Sequence, residues 1–132
     1  HPMYMLNWLL GEPESVSSTF TNFMCETVED NCISVLKYKN GAIGVSETSF
    51  VASRDPFKLE VVGTKGTVMT GWADGRLCYN TGDGWVYPNL PKNAPKPVEM
   101  FVEELSGGEK SVYGIDDAVA LTKTMAAAYS AR

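Results

Sequence analysis

The sequence has almost nothing that announces self-sufficient chemistry. It contains one histidine and three cysteines in 132 residues, and no G-x-G-x-x-G, P-loop, H-E-x-x-H or G-x-S-x-G pattern. A dinucleotide site needs a glycine loop that opens a helix, whose N-terminus then holds the pyrophosphate. Here the glycine clusters Gly63-Thr64-Lys65-Gly66 and Gly82-Asp83-Gly84 stand between strand-like segments, so no cofactor-binding residue is assigned. Cys25, Cys32 and Cys78 are odd in number and lack C-x-x-C spacing. They read as reduced thiols on partly buried strands, not as a disulfide framework. With one histidine to join them they make no structural zinc site, and no metal is expected. Lysines and arginines never stand side by side, and the net charge is −5. No nucleic-acid partner is expected, because phosphate binding needs a basic stripe. The longest apolar stretch, Met3 to Leu10 with Asn7 inside it, is too short to span a bilayer, and no signal-peptide pattern is visible. A soluble, cytoplasmic protein with no membrane partner is expected.

What is present is ordinary globular material. Apolar residues make up 44% and charged residues 20%, and the length suits one domain, residues 1–132, with a core of its own. Met3 to Leu10 is apolar on nearly every side and stops at Gly11-Glu12-Pro13, a helix-ending signature. It has no start signal, so it reads as the tail of a longer helix. Strand-like runs follow at Val16–Cys25, Asn31–Lys39 and Ala42–Phe50. Asn40-Gly41 between the last two predicts a hairpin; as a two-residue loop it would set Tyr38 opposite Ile43 and Leu36 opposite Val45. A second hairpin is expected where Phe57–Val62 meets Thr67–Met69, and short strands at Arg76–Tyr79 and Trp85–Tyr87. After a proline-rich connector, Val98, Phe101, Val102 and Leu105 fall at helical spacing behind Pro97. The last helix runs from about Ile115 to Tyr129, with Ala118, Leu121, Thr122, Met125 and Tyr129 as its expected core stripe.

Strands in one run with helices in another indicate an α+β fold. It would be an open, predominantly antiparallel sheet of about six strands with helices packed on one face. The face left free is expected to meet another domain or subunit.

Few residues invite a chemical role. His1 carries an imidazole that exchanges protons near neutral pH, although a terminal histidine taken alone reads more simply as a tag remnant or a solvated residue. Asp116-Asp117 reads more simply as an acidic helix start than as a metal or acid pair.

The opening His1-Pro2-Met3-Tyr4-Met5-Leu6-Asn7-Trp8-Leu9-Leu10-Gly11-Glu12-Pro13 resembles a segment of the glucose-fructose oxidoreductase / inositol dehydrogenase (Gfo/Idh/MocA) superfamily, in which Asp-x-Gly-x-His leads into an apolar run and a Gly-x-Pro stop. The hairpin Val61–Val68 and the ending from Tyr113-Gly114-Ile115-Asp116-Asp117-Ala118 to Ala131 resemble the same family's second domain, in the same order. The resemblance implies the substrate-side, C-terminal half of an NAD- or NADP-dependent oxidoreductase acting on a sugar or polyol hydroxyl. The cofactor and a catalytic lysine would belong to an N-terminal Rossmann domain absent from this chain, and the isolated chain would be inactive. It places His1 on the family's proton-handling histidine. Tyr4 stands where inositol-type members carry an acid, and could offer a hydroxyl to a sugar instead. Arg54, in the loop Ala52–Pro56, and Trp72 are further substrate-side candidates, although general exposure and packing habits favour the simpler readings of a solvated loop arginine and a sheet-packing tryptophan. A homo-oligomer through the open sheet face is also implied. The competing reading is a non-enzymatic module that dimerises through its sheet or binds a small molecule without cofactor.

Overall fold

The computed structural model describes residues 1–53, 57–71 and 75–131. The described elements are α1 (Pro2–Leu10), β1 (Ser15–Thr21), β2 (Asn31–Lys37), β3 (Ile43–Ser49), β4 (Leu59–Gly63), β5 (Gly66–Thr70), β6 (Cys78–Asn80), β7 (Trp85–Val86), α2 (Pro97–Leu105) and α3 (Ile115–Ser130). The fold is α+β, and every strand pair is antiparallel. The strands divide into one sheet of three, in the order β1-β2-β3, and one of four, in the order β4-β5-β6-β7. These belong to two compact units: residues 1–51 with 95–132, and residues 52–94.

In the first unit, alternation decides which residues meet the helices. Along β2, Ser34 and Leu36 are buried while Ile33 and Lys37 are exposed. Along β3, Gly44 and Ser46 are buried while Ile43 and Val45 are exposed. The register pairs Leu36 with Gly44, Ser34 with Ser46 and Val35 with Val45. The two-residue loop expected at Asn40-Gly41 is thus corrected to a three-residue loop, Lys39-Asn40-Gly41. Tyr38 N–H donates to Ala42 O at 3.1 Å, and Gly41 N–H donates to Tyr38 O at 2.9 Å. Gly41 sits at φ +85, the left-handed position of a type I turn with a bulge. The extra loop residue moves the register by one, and a slip of one turns every β3 side chain over. Ile43 and Val45 face outward in consequence.

The reason lies under α1. A Cβ at Gly44 would stand 3.0 Å from Leu6 Cδ2 and 3.3 Å from the Tyr38 ring, so α1 approaches the sheet closely enough that a side chain there would crowd Leu6. α1 also packs on α3, and α3 on β1. The covered face of the sheet is small and polar: Ser18 Oγ and Ser34 Oγ share a hydrogen bond at 2.8 Å, and Ser46 is buried beside them. Leu36 and Tyr38 are the large buried side chains of this unit, with Ala128 of α3; fully burying one leucine contributes about 1.5–3 kcal/mol.

The stripe expected on α3 is also corrected. Thr124 and Ala128 are the buried residues, while Ala118, Thr122, Met125 and Tyr129 stay exposed and Leu121 is half-buried. Small side chains at Ala120, Thr124 and Ala128 let α3 sit close against its neighbours, which the bulkier stripe would prevent. α2 forms where the helical spacing predicts it, and Glu99 Oε2 accepts from Lys96 N–H at its start. Its apolar side chains Val98, Phe101, Val102 and Leu105 are exposed.

The second unit is a four-stranded meander. β4 and β5 meet through the two-residue turn Thr64-Lys65, with Gly63 opposite Gly66. Val61, Val68, Tyr79 and Val86 line up across all four strands on one face. Cys78 is the buried hydrophobic residue among the described residues of this unit, and the Arg76 guanidinium lies 4.4 Å over the Tyr87 ring.

Candidate functional site

The cleft between α1 and the start of α3 is the place where residues nominated by the sequence meet a cavity. Its volume is about 280 Å³, and Tyr4, Asn7, Trp8 and Glu12 line it from α1 with Asp116 and Asp117 from α3. Positions 1, 4 and 8 fall on one side of a helix, so His1, at the N-cap of α1, leads onto the face that carries Tyr4 and Trp8. His1 is exposed, and its carbonyl accepts from Met5 N–H at 3.0 Å.

Two polar links fix the cleft. Asn7 Nδ2 donates to Thr124 Oγ1 at 2.9 Å, and the Thr124 hydroxyl donates on to Ala120 O at 3.0 Å. Asp117 Oδ2 accepts from Gly114 N–H at 2.9 Å, a carboxylate reaching back over the positive end of its own helix. The helix-start reading of the acidic pair therefore holds for Asp117, and both aspartates line the cavity. Tyr4 packs with its hydroxyl buried and without a hydrogen-bond partner. Burial, followed by the charges of Asp117 and Tyr113, holds that phenol above its ordinary pKa, so it stays protonated. The mouth offers the Trp8 ring, 58% exposed, and the carboxylates of Glu12 and Asp116. Glu12 also faces Lys123 at 3.6 Å, an exposed pair of little energetic weight. An aromatic face beside acceptor oxygens suits hydroxyl-bearing molecules, whose donors the carboxylates take and whose C–H faces stack on indole.

The structure brings Tyr4 to this cleft, one helical turn from His1. Arg54 and Trp72 lie outside the described residues. Asn7, Trp8 and Thr124 were not nominated; Asn7 was visible only as the polar interruption of an apolar helix. No described group of histidine, cysteine and carboxylate side chains is arranged to hold a metal ion. Nor do the described glycine turns and the start of α3 fit a dinucleotide. The glycines at 63–66 lie in a strand-to-strand turn and those at 82–84 between β6 and β7. The start of α3 carries Asp116 and Asp117, which repel phosphate.

A second cavity, about 460 Å³, opens beside β1 and the loop to β2, lined by Ser18, Phe20, Asn22, Thr27, Val28 and Glu29 among others. Asp30 builds that loop. Its carboxylate accepts from the backbone N–H groups of Phe23, Met24 and Cys25 at 2.9, 2.6 and 2.9 Å, and from Asn31 Nδ2 at 2.7 Å. These bonds, Met24's foremost, hold the carboxyl below its ordinary pKa. Tyr129 of α3 stacks on Phe20 at 5.0 Å and donates its hydroxyl to Glu29. Among the described residues, none of the site candidates nominated from the sequence lines it.

No described helix is long and apolar enough to cross a membrane. No curated protein matches the chain. Solved structures do. A Caulobacter crescentus aldose-aldose oxidoreductase, in complex with glycerol, superposes with a TM-score of 0.79 at 22% identity, over 98% of this chain and 43% of that one. The WlbA dehydrogenase of Bordetella pertussis, in complex with NADH and UDP-GlcNAcA, gives 0.74 at 22%, over 98% and 39%. An Agrobacterium radiobacter oxidoreductase, in complex with NAD+, L-tartaric acid and magnesium, gives 0.76 at 19%, over 98% and 44%. The likeness is one of fold, and the chain spans less than half the length of each of these proteins. The model of the GFO/IDH/MocA C-terminal domain matches residues 1–69, just over half the sequence and all of α1 through β4. The chain belongs to the GFO/IDH/MocA C-terminal domain family.

Proposed function

We propose that this chain is the substrate-side half of an NAD- or NADP-dependent oxidoreductase that acts on a sugar or polyol hydroxyl. The observation that carries the reading is the family match over residues 1–69, taken with the position of His1 at the N-cap of the helix that lines the cleft. His1 exchanges a proton with the substrate hydroxyl. Tyr4 shapes the cleft wall, and Trp8 and Asp116 offer a stacking face and an acceptor at its mouth. Arg54 and Trp72 remain proposed substrate contacts. The nicotinamide supplies hydride transfer when bound; its site belongs to a Rossmann domain outside this sequence, since the glycine turns here open no helix. The active protein works in the cytoplasm as a homo-oligomer joined through the open sheet face.

The test joins the chain to its cofactor domain and follows reduced nicotinamide with NAD+ and NADP+ over a panel of sugars and polyols. Turnover is expected on at least one, and His1→Gln is expected to lower kcat by about 10²–10⁴-fold, the usual contribution of a positioned acid–base group. A His1→Gln protein with undiminished kcat would remove His1 from the mechanism. A joined protein that turns over no sugar or polyol would overturn the assignment.

A further inference from the structure

We propose that Asn40-Gly41, at the tip of the β2–β3 hairpin, is a site of spontaneous succinimide chemistry in the folded protein, converting Asn40 to aspartate and isoaspartate. Among the seven asparagines, this is the one followed by glycine. Both residues are exposed. A Cβ added at Gly41 would meet nothing within 4 Å, so the backbone around the nucleophile is open. The electrophile is already polarised, because Ala42 N–H donates to Asn40 Oδ1 at 3.0 Å. A donor at the oxygen where negative charge develops stabilises the tetrahedral intermediate.

The step balances without an oxidant or reductant. The Gly41 backbone nitrogen gives up its proton to solvent and bonds to Asn40 Cγ. The Cγ–Nδ2 bond then breaks, and ammonia leaves with a proton from solvent. Water opens the ring at either carbonyl, giving aspartate or isoaspartate. One bond opposes the reaction: Gly41 N–H donates to Tyr38 O at 2.9 Å and must be released first. That opening involves a solvent-exposed turn at the end of a hairpin, the part of a sheet that frays most readily.

The product matters for the fold. Isoaspartate adds a methylene to the main chain of a three-residue loop whose closing pair, Tyr38 and Ala42, sets the register. That register puts Gly44 beneath Leu6. Modification therefore loosens the contact of α1 with the sheet.

The experiment ages the folded chain at mildly alkaline pH, with a urea-unfolded sample alongside. The tryptic peptide Asn40–Arg54 is followed by mass spectrometry, and isoaspartate by enzymatic methyl labelling. Expected is a unit mass gain and label accumulating on that peptide in the folded sample, while peptides carrying the other asparagines stay unchanged. The aged protein should melt at a lower temperature than the fresh protein. Asn40→Gln, which cannot form the five-membered ring, should abolish both changes while keeping the fold. An unmodified Asn40 in the folded sample, with conversion in the unfolded one, would overturn the proposal, since the turn would then be protecting the bond.

Discussion

Asp30 illustrates what a single residue does here. Its carboxylate is buried and holds three consecutive backbone N–H groups that no strand or helix satisfies. Asn cannot serve all of these with one acceptor oxygen and would aim its own N–H₂ at backbone donors, so Asp30→Asn is expected to destabilise the loop before β2. The pH dependence follows from the direction of the shift. The folded carboxyl is held below its ordinary range, so its contribution is fully present above the unfolded pKa of about 3.9 and is lost as pH falls through the lower folded value. Urea titrations of both proteins should differ at neutral pH and converge in strong acid; equal stability at neutral pH would mean that the loop needs no carboxylate. The sequence showed no sign of this role, because Asp30 makes its bonds through the backbone of residues whose names do not matter. Tyr4, by contrast, was nominated through the ordered opening segment, and it lines the cleft. Asn7 and Thr124 stand 117 positions apart, and only the fold brings them together.

Elements were more legible than their pairing. Each predicted strand and helix is present, with bounds trimmed or extended by up to a few residues, because alternation and helical spacing are local properties. The register was not legible, since Asn-Gly suits both a two-residue loop and a three-residue loop with glycine in the left-handed position. What decides between them is non-local: a side chain beneath Leu6 of α1 would be crowded, and only the longer loop delivers Gly44 there. The same demand for small side chains moved the buried stripe of α3 from the bulkier positions to Thr124 and Ala128. Gly44→Val is therefore expected to cost about 1–3 kcal/mol by overpacking, read as a lower urea midpoint at unchanged slope. Gly44→Ser, a smaller intrusion, should cost less. A Gly44→Val protein as stable as the parent would show that α1 sits farther from β3 than the 3.0 Å approach implies.

At the scale of the molecule, the turned-over register has a consequence for assembly. With Gly44 and Ser46 spent beneath the helices, β3 presents Ile43 and Val45 outward at 66% and 60% exposure, beside Ile33 at 49% and Val35. Burying a valine or isoleucine is worth about 1.5–3 kcal/mol, so this patch favours a partner over water. Its charges suggest which partner. Lys37 pairs with Ile43 at one end of the patch, and Glu47 pairs with Ile33 at the other. A two-fold axis through the Val35–Val45 pair exchanges the two ends and sets Lys37 of one copy against Glu47 of the second, as a self-complementary interface requires. Dimers are therefore expected by light scattering. Val45→Glu, which puts a charge at the centre of the patch and leaves the helix-covered face untouched, is expected to shift the molecule to monomer with its melting temperature measured at low concentration little changed. Lys37→Glu should weaken the dimer by like-charge contact, and adding Glu47→Lys should restore it, because the double exchange recreates the attraction with reversed sign. A parent protein that stays monomeric at high concentration would leave the outward register without this explanation. A Val45→Glu protein that remains dimeric would move the interface to another face.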